Sequence, residues 1–316
     1  GALPGTRNLI ASSSADGKLM VVLAASDRDP GTYYLFDSEK QEMSLIGKVR
    51  PKIDPARMAE MRPIRFKARD GLEIPGYISV PAGKELKKLP MILIPHGGPY
   101  GPRDVWGWNE QIQFLASRGY AILQVNYRGS GGYGLSFQRG GYREWGGKMQ
   151  DDLTDGVRWC IEQGYADPSR VGIFGASYGG YAALAGAAFT PDLYRCSVSV
   201  AGVSDLVEML RWVEDRGGIE DPAVRFWRKH IGKTSDPDVA AFSPARAAEK
   251  VTATVLMMHG VDDTVVPYVQ TEYMETAMRR AKTPHEIFKL KSEDHWLSRS
   301  PSRIEMLAQL DRFLDQ

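Results

Sequence analysis

One serine, one histidine and a pair of aspartates in the second half of the chain have the residue types and the order needed for acyl transfer. The serine stands in Gly175-Ala176-Ser177-Tyr178-Gly179-Gly180, after the apolar run Val171 to Phe174 and before the helix-forming Tyr181 to Ala185. Strand, G-x-S-x-G turn and helix in that order hold a serine on a sharp, strained corner with its hydroxyl presented outward. Only small neighbours let strand and helix approach, hence Gly175 and Gly179. The helix amino terminus behind Ser177 favours developing negative charge. A glycine-rich turn with a chance serine is the bland alternative, and the flanking strand and helix argue against it. Such a serine needs a general base and a group to orient that base, with the chain order serine, acid, histidine. His295, in Ser292-Glu293-Asp294-His295-Trp296, follows the last strand and precedes the last helix. His285 precedes that strand, His259 precedes the candidate acids, and His230 lies in a polar segment read as solvated. The acid is expected after the strand Thr254 to Met258, in His259-Gly260-Val261-Asp262-Asp263-Thr264-Val265-Val266-Pro267, where spacing does not choose between Asp262 and Asp263.

A tetrahedral intermediate needs two hydrogen-bond donors aimed at its oxygen. The N–H of Tyr178 is one, fixed by the turn. The second comes either from a main-chain N–H in Pro95-His96-Gly97-Gly98-Pro99-Tyr100-Gly101 or from the hydroxyl of Tyr127 in Asn126 to Gly134 (NYRGSGGYG). That second glycine run is not expected to bind phosphate, because it lacks G-x-x-x-x-G-K-[ST] and the polar residues after it do not read as a convincing helix.

The elements that must position these groups alternate. Apolar strands are expected at Met91 to Ile94, Ala121 to Val125, Val171 to Phe174, Ser197 to Val200, Thr254 to Met258 and Glu286 to Leu290. The clearest helical patterns cover Lys148 to Gln163 and Ser302 to Leu314. Alternating strands and helices imply a mostly parallel sheet with helices on both faces, and sites at the carboxyl ends of its strands. With the serine turn this is an α/β-hydrolase fold. Ile64 to Ala68 and Ile74 to Val80 read as a hairpin around Asp70-Gly71. Upstream, Lys18 to Ala25, Thr32 to Phe36 and Met43 to Ile46 read as an antiparallel meander. Arg50 to Pro63 reads as a connector with a short helix over Ala56 to Met61. The expected organisation is a short antiparallel β segment over residues 1–48, a linker over 49–63 and a catalytic domain over 64–316.

The 316 residues suffice for a sizeable core. Forty basic against 39 acidic residues give no basic excess that would point to nucleic acid or an anionic membrane surface. Two cysteines make no disulfide framework, and no CxxC pair suggests a metal site. No cofactor or metal is expected, no apolar run spans a membrane, and the substrate is expected to be a small molecule or peptide.

Four motifs in order, HGGP (His96 to Pro99), NYRGSGGYG, GASYGG and HGVDDTVVP (His259 to Pro267), resemble the prolyl oligopeptidase family, over residues 64 to 316. Its acylaminoacyl-peptidase and dipeptidyl-peptidase-like branches resemble the chain most. The resemblance implies a serine peptidase acting on short peptides, with Ser177 as nucleophile, Asp262 as triad acid and His295 as base. It makes Tyr127 the side-chain oxyanion donor beside the Tyr178 N–H, and maps Val203, Leu206, Met209 and Val265 near the pocket for the residue before the cleaved bond. It implies that residues 1–48 are a remnant blade of a β-propeller and the chain a catalytic fragment, which self-associates or docks with the missing propeller. Two positions depart from the pattern: Thr264 stands where Arg or Asn holds a substrate carbonyl, and Trp296 follows the histidine in place of glycine. The rivals are a carboxylesterase on the same fold and an interaction module with an idle triad. Compartment stays open, with the cytoplasm preferred over periplasm or secretion.

Overall fold

In a computed structural model, which describes residues 3–218 and 220–315, the amino-terminal segment forms one strand more than its apolar runs predict. Strands β1 (Arg7–Ser13), β2 (Leu19–Ala25), β3 (Thr32–Asp37) and β4 (Glu42–Lys48) pair in chain order as an antiparallel sheet. β1 reads RNLIASS and is exposed throughout. Main-chain pairing with β2 makes it a strand, and its sequence carries no buried alternation to reveal it. The helix expected over Ala56 to Met61 is not there. A single 3-10 turn, Pro55–Arg57, is capped by the Asp54 carboxylate accepting the Ala56 N–H at 3.0 Å. β5 (Glu60–Lys67) then begins, with Pro63 inside it. β5 lies at the edge of its sheet, where a missing N–H is tolerated.

The second sheet adds β6 (Glu73–Val80), β7 (Leu89–Leu93), β8 (Ala121–Val125), β9 (Ala166–Ala176), β10 (Cys196–Val200), β11 (Thr254–Gly260) and β12 (His285–Leu290). Its order is β12-β11-β10-β9-β7-β8-β6-β5. The pairs β7–β9, β9–β10, β10–β11 and β11–β12 are parallel. The helices are α1 (Glu110–Ser117), α2 (Leu135–Arg139), α3 (Lys148–Glu162), α4 (Tyr178–Phe189), α5 (Leu206–Gly217), α6 (Pro222–His230), α7 (Pro237–Ala241), α8 (Val269–Ala281) and α9 (Ser300–Leu314). This is the α/β-hydrolase fold that the alternating pattern predicts. From β9 the sheet is filled in one direction, so the loops after β9, β11 and β12 emerge at one carboxyl edge. The chain switches direction between β7 and β9, where such sheets open a crevice.

The chain divides into two compact units. One unit holds residues 1–63, 77–86 and 105–122; the other holds 64–76, 87–104 and 123–316. Within the first, the expected linker is tied down: the Gln113 amide of α1 donates to Asp27 O and Ala59 O at 2.9 and 3.0 Å, and the Met61 N–H donates to the Asp27 carboxylate at 2.7 Å. Within the second, α4 is apolar on nearly every face and buried almost end to end, as a helix inside a core must be. Its Leu184, Ala187 and Ala188 pack with Val255 and Met257 of β11 and Met274 and Met278 of α8. That cluster locks the helix that carries the serine to the strand that carries the acid.

Candidate active site

Ser177 sits between β9 and α4 with φ 60° and ψ −122°, a conformation that non-glycine residues rarely adopt. Its N–H donates to Val200 O at 2.9 Å and its carbonyl accepts from Tyr181 N–H at 3.0 Å. A Cβ on Gly175 would lie 2.3 Å from Gly179 O, and one on Gly179 would lie 2.2 Å from Pro95 O. Both glycines are therefore required for strand, helix and the loop after β7 to converge, as the motif implied.

His295, in the loop after β12, reaches Ser177: Nε2 lies 3.0 Å from Oγ. Its Nδ1 lies 2.6 Å from Oδ2 of Asp263. A carboxylate only accepts, so Nδ1 carries the ring proton and Nε2 is left to accept from the serine hydroxyl. The expectation of Asp262 is corrected here. Asp262 is exposed, and the loop fixes only its N–H, on Glu293 O at 3.1 Å. Asp263 is buried. The turn decides between them: Oδ1 of Asp263 accepts the N–H groups of Val265 and Val266, both at 2.8 Å, which turns Oδ2 toward His295. Oδ2 also faces Nε2 of the buried His259 at 3.2 Å, whose own proton must sit there because Val266 O, a second acceptor, is 3.0 Å away. Burial pushes the Asp263 carboxyl upward, but the hydrogen bonds from His259, His295 and the Val266 N–H outweigh it and hold the group well below the usual carboxylate range.

Tyr127 is not presented to a reacting oxygen. It is fully buried, and its hydroxyl donates to His96 O at 2.8 Å and lies 3.2 Å from His96 Nδ1. That commitment corrects its assignment as the oxyanion donor; the residue braces the loop after β7. His96 is kept neutral by burial, its pKa lowered to about 4. Its Nδ1 is 2.8 Å from Gly97 O and its Nε2 2.7 Å from Ser130 Oγ. With the Gly97 carbonyl held toward His96, the trans peptide aims the N–H of Gly98 the opposite way. Gly98 lines the same cavity as Ser177 and Tyr178, so the second donor fits the main-chain alternative in this loop. In Tyr127→Phe the His96 carbonyl loses its partner. We expect stability to fall by about 1–3 kcal/mol, the cost of a buried unpaired acceptor, and kcat to fall by less than the ~10²–10³ that removal of a direct oxyanion donor costs. Denaturant midpoints and kcat on one amide substrate check this, and a loss of ~10³ with unchanged stability would restore Tyr127 to the hole.

The loop that begins with Tyr127 is pinned by its neighbour. Arg128 donates from Nε and Nη2 to Asp152 at 2.8 and 2.7 Å, and from Nη1 and Nη2 to Asp70 at 2.7 and 3.0 Å. Hydrogen bonding to Arg128 lowers the Asp70 pKa to about 2, while burial raises that of Asp152 to about 6 against the same arginine. Truncating Arg128 would strand a buried charge.

Beside Ser177 lies a small, mainly apolar cavity of about 70 Å³. Val203, Met209 and Val265 are among the residues that line it; Leu206 is not, being wholly buried in the first turn of α5. Trp145, Leu210, Trp227, Ile231 and Val266 complete the wall. Trp227 and Ile231 are four apart at the end of α6, a spacing legible in the sequence, whereas Trp145 stands in a loop with no pattern to mark it. The polar reading of this stretch hid both: His230 is buried among Tyr100, Tyr142 and Phe226, with ring centroids at 4.7, 4.3 and 4.0 Å. Among the described residues no group of three His, Cys, Asp or Glu is placed to hold a metal, and no helix is long and apolar enough to cross a membrane.

The family model described as the prolyl oligopeptidase family matches residues 106–316. Dipeptidyl aminopeptidase BIII of Pseudoxanthomonas mexicana is 31% identical over 315 residues, which cover 95% of this chain and 45% of that protein. A puromycin-hydrolyzing peptidase of Mycobacterium tuberculosis superposes with a TM-score of 0.80 at 25% identity, over 92% of this chain and 44% of that one. An acylaminoacyl peptidase in complex with Z-Gly-Gly-Phe-chloromethyl ketone superposes with a TM-score of 0.81 at 26% identity, over 98% and 49%. The chain thus spans less than half the length of these relatives.

Proposed function

The chain belongs to the prolyl oligopeptidase family, and we propose that it is a serine peptidase that cleaves short peptides through an acyl-enzyme on Ser177, after a large apolar residue. The observation that carries the mechanism is the continuous chain from Ser177 Oγ through His295 to Asp263, with links of 3.0 and 2.6 Å. Oγ attacks the scissile carbonyl while Nε2 takes its proton, and Asp263 steadies the imidazolium. The developing oxyanion is met by the N–H groups of Tyr178 and Gly98. Nε2 then protonates the departing amine, the C–N bond breaks, and water attacks the acyl-enzyme by the reverse proton path. The residue before the bond enters the cavity formed by Trp145, Val203, Met209, Trp227 and Val265. The neighbour bound to a ketone that ends in Phe supports a large apolar residue there. The names of the relatives, a dipeptidyl aminopeptidase and a puromycin-hydrolyzing peptidase, support amide substrates with little chain before the bond. The sheet β1–β4 has the four antiparallel strands of a propeller blade, which supports reading it as one.

A fluorogenic amide series that differs only before the scissile bond tests this. Phe and Leu are expected to exceed Asp by roughly 10²–10³ in kcat/KM, because among the described residues that line the cavity there is no cationic side chain to pair with a carboxylate. Equal turnover of Phe and Asp substrates would remove the cavity from substrate recognition, and failure of a fluorophosphonate to label Ser177 would remove the triad.

A further inference from the structure

The direction of proton transfer fixes where the far side of the scissile bond lies. The imidazole that takes the Ser177 proton returns it to the leaving amine, so that nitrogen must come within about 3 Å of His295 Nε2. Its α-carbon is one bond further, and the side chain it bears falls over the residues that flank the imidazole. The next residue in the chain is Trp296. Its exposure of 75% is the largest of any exposed large apolar residue described. Its ring stands edge-on to the imidazole, with centroids 5.2 Å apart and planes at 86°. The backbone beneath it is fixed: Asp294 Oδ1 accepts the N–H groups of Trp296 and Ser298 at 3.0 and 3.2 Å, and Oδ2 accepts the Ser298 hydroxyl at 2.7 Å. An indole on a fixed backbone, left in water beside the catalytic base, offers a face to a passing side chain. The cavity lined by Met209 and Trp227 is occupied, on the reading above, by the residue before the bond, so it does not compete for this position.

We infer that Trp296 determines specificity on the leaving-group side. Its indole is the platform for the side chain of the residue after the cleaved bond, and it favours aromatic and large aliphatic residues over glycine. The inference rests on the triad reading of Ser177, His295 and Asp263. Stacking on one aromatic face corresponds to a preference of about 3–10-fold.

The test forms the acyl-enzyme from an N-acyl-phenylalanine ester and lets amino-acid amides compete with water for it. In aminolysis the nucleophile's amine forms the new C–N bond as the Ser177 ester bond breaks, its proton passing to His295. The amide therefore occupies the leaving-group site whatever precedes the bond. Phenylalaninamide and leucinamide should capture the acyl group about 3–10-fold better than glycinamide. In Trp296→Ala that ratio should fall to near one, and in Trp296→Phe it should be largely kept. The ratio is taken within each enzyme, so a change in the rate of acylation cancels. An unchanged ratio in Trp296→Ala, or no preference in the unaltered protein, overturns the platform. Absence of both ester turnover and fluorophosphonate labelling overturns the triad and this inference with it.

Discussion

In Ser177→Ala, kcat on an amide substrate is expected to fall by about 10⁶ while KM changes little. The substitution removes the atom that forms the acyl bond and nothing that binds substrate: the Tyr178 N–H, the Gly98 N–H and the cavity stay in place. What survives is the ~10³–10⁴ over water that oxyanion donors and binding provide in other triad enzymes. A second variant separates chemistry from architecture. At φ 60° and ψ −122° any residue with a Cβ is strained. Ser177→Gly should therefore be as inactive as Ser177→Ala but more stable than it by roughly 1 kcal/mol. Equal melting temperatures for the two variants would mean the corner stores no strain, and retention of more than ~1% of wild-type kcat by either would remove Ser177 as nucleophile.

Steric and periodic rules made part of this site legible in the sequence. Gly175 and Gly179 are there because a Cβ at either would strike backbone, and such a demand shows in one sequence without comparison. The strand, turn and helix around Ser177, and His295 after the last strand, follow from apolar runs that the sheet buries. What stayed hidden depends on directions that side chains acquire only in three dimensions. Asp262 and Asp263 are adjacent and chemically identical, and only the turn closed by the Val265 and Val266 N–H groups chooses between them. Tyr127 follows a strand at the carboxyl edge, as a donor should, but its hydroxyl is already committed to His96 O. Trp145 was obscured because it stands in a loop with no pattern to mark it, and Trp227 and His230 because the exposed Arg225 and Lys229 beside them make their helix read as polar. β1 left no signal, because an exposed strand is made by its partner's main chain.

The choice between the aspartates is open to a direct test. Asp263→Asn is expected to lower kcat/KM by roughly 10⁴, and Asp262→Asn by less than about threefold. The argument turns on which atom of the new amide faces His295. The N–H groups of Val265 and Val266 require an acceptor at the Oδ1 position. The carbonyl oxygen of the introduced asparagine would therefore stay there, and its NH₂ would take the place of Oδ2. That NH₂ cannot accept from His295 Nδ1. The imidazole then holds its proton on Nε2, toward Ser177, where it can no longer take one. The same NH₂ confronts the proton on His259 Nε2, so this variant should also lose stability, and its kcat must be read at a temperature where circular dichroism shows it folded. Asp262 has an exposed carboxylate, and replacing it touches neither ring. Equal losses at the two positions, or a larger one at Asp262, would mean that the loop after β11 adopts another turn in the working enzyme and that the pairing of Asp263 with His295 is not the catalytic one.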